Sequence, residues 1–83
     1  MDLNKKAKEQ LIEMFSTYLK GRKKKAVKLA EEIYKNFSAA TGSLLDKLTS
    51  EAVNMAGELW SKEDISKEKV ETILKELKQF QKL

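Results

Sequence analysis

Apolar side chains recur along this chain at intervals of three and four residues, the spacing that aligns one face of an α-helix. Four stretches carry the pattern. From about Leu3 to Leu19, the residues Ala7, Leu11, Met14 and Tyr18 step by 4, 3, 4, and Phe15 widens the stripe. From about Lys23 to Phe37 the same steps link Ala26, Ala30, Ile33 and Phe37, with Leu29 beside them. From about Leu44 to Trp60, Leu45, Leu48, Ala52, Met55 and Leu59 step by 3, 4, 3, 4, a heptad-type seam. From about Lys67 to Phe80 the apolar set is Val70, Ile73, Leu74, Leu77 and Phe80.

The residues between these stretches predict where each helix begins and ends. Asp2 or Asn4 suits the N-cap of the first helix, whose side chain accepts a free backbone N–H. Gly21 suits its end, because a left-handed residue costs glycine least. Ser43 fits the cap of the third helix, with Asp46 at its third position, where a carboxylate meets unpaired N–H groups. Ser66 fits the cap of the fourth, flanked by Ile65 and Val70 in the positions of a hydrophobic staple.

The connections, at residues 20–22, 38–43 and 61–65, are short, which makes successive helices antiparallel neighbours. The expected fold is all-α: one domain spanning residues 1–83, an up-down-up-down four-helix bundle, with a three-helix bundle as the alternative. Ala26 with Ala30, and Ala52 with Ala56, place small residues one turn apart on the second and third helices and predict a close approach of those two. Gly57 costs about 1 kcal/mol relative to Ala inside a helix. It lies beside Val53 and Trp60, so either a tight crossing or chance accounts for it.

Composition removes most chemistry. The chain has no His and no Cys, and hence lacks the commonest general base, the commonest metal ligand and any thiolate. Its three glycines stand apart and form no phosphate loop. Glu31 with Lys35, Glu58 with Lys62 and Glu71 with Lys75 read as solvated i, i+4 pairs rather than as catalytic acids. No enzymatic activity, cofactor or metal is expected. No apolar run approaches the ~20 residues of a membrane span, and the first ten residues lack a signal-peptide core, so a soluble, cytoplasmic protein is expected.

Charge supplies the functional hint. The net charge is +4, but residues 1–28 hold nine Lys and Arg against three acids, while residues 29–83 hold eight Lys against ten acids. The dense part comprises Lys20, Arg22, Lys23, Lys24, Lys25 and Lys28, spanning the turn between the first two helices. Cations there oppose the positive end of the helix dipole, at about 0.3–1 kcal/mol each at low salt. Lys24 and Lys28 also repel at i, i+4. Free N–H groups and cations together suit an anion such as a phosphate.

The expected function is therefore a small binding protein that takes an anionic partner at this turn: a nucleic-acid backbone or an acidic protein. No aromatic residue interleaves the basic run and no helix offers a base-reading face, so any nucleic-acid contact is backbone-directed. The alternative is a protein-interaction or inhibitor module working through an apolar helix face, the lysines only solubilising it. The off-stripe residues Ile12 and Leu19, Val27 and Tyr34, and Val53 and Trp60 predict apolar edges, which favour a homodimer if two of them remain exposed together.

Tyr18-Leu19-Lys20-Gly21, followed by Ala26-Val27 and Ala30, resembles one tetratricopeptide-type helical hairpin, or the opening of a microtubule-interacting-and-transport domain, over roughly twenty residues. In architecture and charge, a small, basic, Cys-free four-helix bundle is similar to the class II bacteriocin immunity proteins, which implies an immunity-type binding role. Ile65-Ser66-Lys67-Glu68 before the last helix resembles a histone fold. No functional residue is carried over from any of them.

Overall fold

Each helix end is set by a side chain or a turn that satisfies the backbone groups left over there. In the computed structural model, which describes residues 2–81, α1 (Leu3–Leu19) opens on Asp2, whose carboxylate accepts the Asn4 N–H at 3.0 Å. The helix closes on Gly21 at φ 84°. There the Gly21 N–H donates to the Tyr18 carbonyl (3.0 Å) and the Arg22 N–H to the Thr17 carbonyl (3.2 Å), the paired bonds of a Schellman turn. α2 (Lys23–Phe37) runs into one 3₁₀ turn over Ser38–Ala40, and a loop leads to α3 (Lys47–Lys62). α4 (Lys67–Gln81) starts on Ser66, whose hydroxyl oxygen accepts the Lys69 N–H at 3.4 Å; Ile65 and Val70 both pack into the core.

The start of α3 departs from the sequence reading by three residues. Ser43 is not its cap. Asp46 is, with extended backbone (φ −68°, ψ 170°) and its Oδ1 accepting the Thr49 N–H at 2.8 Å. The cause is tertiary. Asn4 donates its side-chain amide to the Leu44 carbonyl (3.2 Å) and accepts the Asp46 N–H at Oδ1 (2.7 Å), which holds residues 44–46 out of the helix and against α1. Ser43 instead donates its hydroxyl to the Ala40 carbonyl. Leu44 is consequently 72% exposed, while Leu45 enters the core.

These contacts also fix the helix directions. The start of α1 meets the start of α3 through Asn4 and Asp46, and it meets the end of α4 where Lys8 faces Phe80. The end of α1 meets the start of α4 where Tyr18 bonds Ile65. α1 and α3 therefore point one way and α4 the other, the alternation of an up-down-up-down four-helix bundle. α1 packs against all three other helices, whereas α2 and α4 lie on a diagonal, their backbones not approaching within 8 Å among the described residues. The radius of gyration, 11.4 Å, matches the about 12 Å of a compact chain this long, so one core serves all four helices.

That core is centred on Phe15, Leu11, Met14, Ile33, Leu59 and Leu77. Ala26, Ala30, Ala52 and Ala56 are all completely buried, and α2 and α3 pack closely, as the small residues predict. On α3 the buried face is Thr49, Ala52, Val53, Ala56 and Leu59, with Leu48 and Met55 only half-buried at its edge. The predicted seam is thus rotated. Small residues face the crowded side of α3, and the two long ones turn toward α4, where packing is thin. Among the expected ion pairs, Glu31–Lys35 closes at 2.7 Å and Glu58–Lys62 at 3.5 Å. Glu71 and Lys75 do not pair; both are exposed, and water competes well for an interaction worth a few tenths of a kcal/mol.

Most of the apolar edges expected to favour a dimer are used within the chain. Val53 is fully buried, and Ile12, Leu19, Val27 and Tyr34 pack partly against the core. Among the described residues the exposed large apolar side chains are Leu44, Phe80 (56%) and Trp60 (37%). None of the helices among them is long and apolar enough to cross a membrane.

Candidate functional site

The turn that ends α1 also begins α2, and it leaves α2 without a cap. Arg22 occupies the capping position with φ −92° and ψ 67°, and its side chain makes no capping bond. Its carbonyl accepts the Ala26 N–H at 3.0 Å, the first bond of the helix ladder. The earlier N–H groups of the first turn receive no side-chain cap, and no acidic residue stands in that turn.

Lys20, Arg22, Lys23, Lys24, Lys25 and Lys28 are all exposed around this helix start. Among the described residues none of the six forms an ion pair. The nearest acids along α2, Glu31 and Glu32, lie beyond the first turn, and Glu31 is taken by Lys35. Asp64, at the same end of the bundle, is engaged by the hydroxyl of Tyr18. The turn thus gathers positive charge that no carboxylate pairs among the described residues, and its field adds to that of the helix dipole instead of opposing it.

Not every cation in the basic first third is free in this way. Lys8 lies at the inner edge of α1 with its side chain 10% exposed, and its ammonium is bonded to the Asp46 carboxylate. The same ammonium stands 5.7 Å from the centre of the Phe80 ring, within the range of a cation–π contact. Burial pushes the Asp46 carboxyl upward, but the bonds from Lys8 and from the Thr49 N–H outweigh it and leave the group below the ordinary carboxylate range. This joint ties three elements together, and Lys8 is structural. Phe80, expected in the core stripe of α4, instead covers the joint from outside and stays largely exposed.

A second feature lies between α3 and α4, which meet sparingly. Two hollows of about 490 and 480 Å³ share Glu51 and Glu76 as walls, the first reaching Met55 and Ile73, the second Leu48 and Phe80. Nothing in the periodicity of either helix announces this groove. The signal that bears on it is the length of Leu48 and Met55 on a helix whose other inward residues, Leu59 apart, are small. Among the described residues no three carboxylates gather as a metal site requires. No protein-family model, no curated protein and no solved structure matches the chain.

Proposed function

We propose that this chain is a small, non-enzymatic cytoplasmic binding protein that holds an anionic partner, a nucleic-acid backbone above all, at the basic turn between α1 and α2. One observation carries the reading: six exposed cations surround an uncapped helix start and none of them is paired among the described residues. Such a site costs the fold some stability through the dipole and through Lys24–Lys28 repulsion, a cost that a bound phosphate reverses. Recognition is sequence-independent, because the turn offers charge and N–H donors but no base-reading side chain or stacking ring.

The test is a triple substitution, Lys23→Gln, Lys24→Gln and Lys25→Gln, with binding to a generic DNA duplex followed against salt. The parent is expected to bind at low salt with a steep salt dependence. The variant is expected to remain folded and to lose binding, its salt slope flattening by up to about three units. Equal binding by both proteins, or none by the parent at low salt, overturns the reading and leaves the lysines as solubilising charge.

A further inference from the structure

The groove between α3 and α4 has a chemistry opposite to that of the basic turn. Its floor is apolar: Leu48 and Met55 from α3, Ile73 and Phe80 from α4. Its walls carry Glu51, Glu68 and Glu76 beside the two hollows, and Glu58 farther along. Against these stand only Lys47 and Lys69 on the lining. A protein of net charge +4 thus presents a groove whose lining is acidic. Along α4 the groove runs from Ser66 to Phe80, a length of about 21 Å at 1.5 Å per residue, or roughly four helical turns.

We infer that this groove is a docking site for a basic amphipathic helix of a partner protein. The helix would lay an apolar stripe on Leu48, Met55, Ile73 and Phe80 and set Lys or Arg on either side against the glutamates. Charge complementarity and the apolar floor together select this occupant. A second copy of the chain fits poorly by either route. A two-fold pairing of the groove with itself sets one acidic lining against another, and the two repel. Insertion of the basic turn supplies cations but no apolar stripe, because Ala26, Ala30 and Ile33 of α2 are already buried in the chain's own core. The site is distinct from the basic turn and does not rest on what that turn binds.

The test uses the full chain, isotopically labelled, and a 14-residue helical peptide of Leu and Lys with its leucines on one face. Two control peptides accompany it: one with Glu in place of every Lys, and one of the same composition with the leucines scattered. The amphipathic basic peptide is expected to shift the amide resonances of residues 48–55 and 72–80 and to leave those of 20–28 unmoved. The double variant Glu51→Lys, Glu76→Lys is expected to keep its helical content and to bind at least tenfold more weakly. The triple Gln variant of the basic turn is expected to bind as the parent does. Absence of binding, shifts outside the groove, equal binding of either control peptide, or unchanged affinity in the double variant each overturns the inference. Shifts at the groove amides that depend on protein concentration without peptide would identify a second copy as occupant and overturn it as well.

Discussion

Gly57 on α3 lies beneath the ring of Tyr34 on α2. A β-carbon built on Gly57 would come 2.5 Å from Cε1 and 2.6 Å from Cδ1 of that ring, closer than real side chains approach. The ring also packs against Trp60, centroid to centroid at 6.2 Å and tilted by 52°, so a shift away from a new β-carbon disturbs that contact. Lys35 stands 5.5 Å from the centre of the Trp60 ring, outside this pair. The glycine is therefore part of the α2–α3 crossing.

Gly57→Ala is expected to destabilise the protein by about 1–2 kcal/mol, the overpacking loss exceeding the about 1 kcal/mol gained in helix propensity. In a Tyr34→Ala background the same change is expected to become neutral or stabilising by up to about 1 kcal/mol. Urea denaturation of the four proteins gives the coupling energy directly, and an additive result would show that the ring does not require the glycine.

Asp46→Ala removes the α3 cap and leaves the Lys8 ammonium without its partner. The expected loss is about 2–3 kcal/mol, one part from the cap and one from the orphaned, nearly buried charge. Asp46→Asn keeps a capping oxygen and is expected to lose less. The pH dependence follows from the lowered pKa of Asp46. Its stabilisation is present above the ordinary aspartate pKa and disappears as pH falls through the still lower folded value. Thermal melts between neutral and acid pH should therefore fall more gently for Asp46→Asn than for the parent.

The Tyr18 hydroxyl lies 2.8 Å from Asp64 Oδ1 and 2.9 Å from the Ile65 carbonyl, and it accepts the Ile65 N–H at 3.2 Å. Tyr18→Phe leaves these partners to water at a partly buried site, an expected cost of about 1–2 kcal/mol. Burial raises the Tyr18 pKa and the nearby Asp64 adds to the rise, while the Ile65 contact works against them. A raised folded pKa means that this stabilisation is complete below the ordinary tyrosine value and is lost as pH climbs through the folded one. Denaturation followed up to alkaline pH should show a shallower decline for Tyr18→Phe.

Glu63 ends α3 in the left-handed region, at φ 57° and ψ 21°, where a side chain costs about 1–2 kcal/mol. Glu63→Gly is expected to raise stability by about 0.5–1 kcal/mol, the relief of strain being offset in part by the greater freedom of glycine when unfolded. A lowered denaturation midpoint would show that the Glu63 side chain makes a contribution larger than the strain.

The features that could be read from sequence are those decided within a few residues. Asp2, Gly21 and Ser66 act on backbone groups two to four positions away, and the helices they delimit appear where the sequence puts them. The basic turn is equally legible, because crowding of six like charges within nine positions needs no tertiary knowledge. Ser43 and Asp46, in contrast, offer similar caps, and the choice between them falls to Asn4, some forty residues earlier. Lys8 could not be told from its neighbours Lys5 and Lys6, although it alone of the three turns inward. The groove depends on how far α3 stands from α4, a distance that neither helix encodes alone.

The uneven anchoring of α4 has a consequence for the order in which the molecule comes apart. α4 leans mainly on α1, meets α3 sparingly and has no close backbone approach to α2, while α1, α2 and α3 close on one another. Its amides belong to the cooperative unit with the fewest buried contacts to break, so they exchange with solvent deuterium ahead of those of α2 and the inner face of α3. The wall of the groove and the first helix to lift are the same element. A guest seated between α3 and α4 therefore slows that exchange, and the partner's affinity and the local opening free energy of α4 become two readings of one equilibrium.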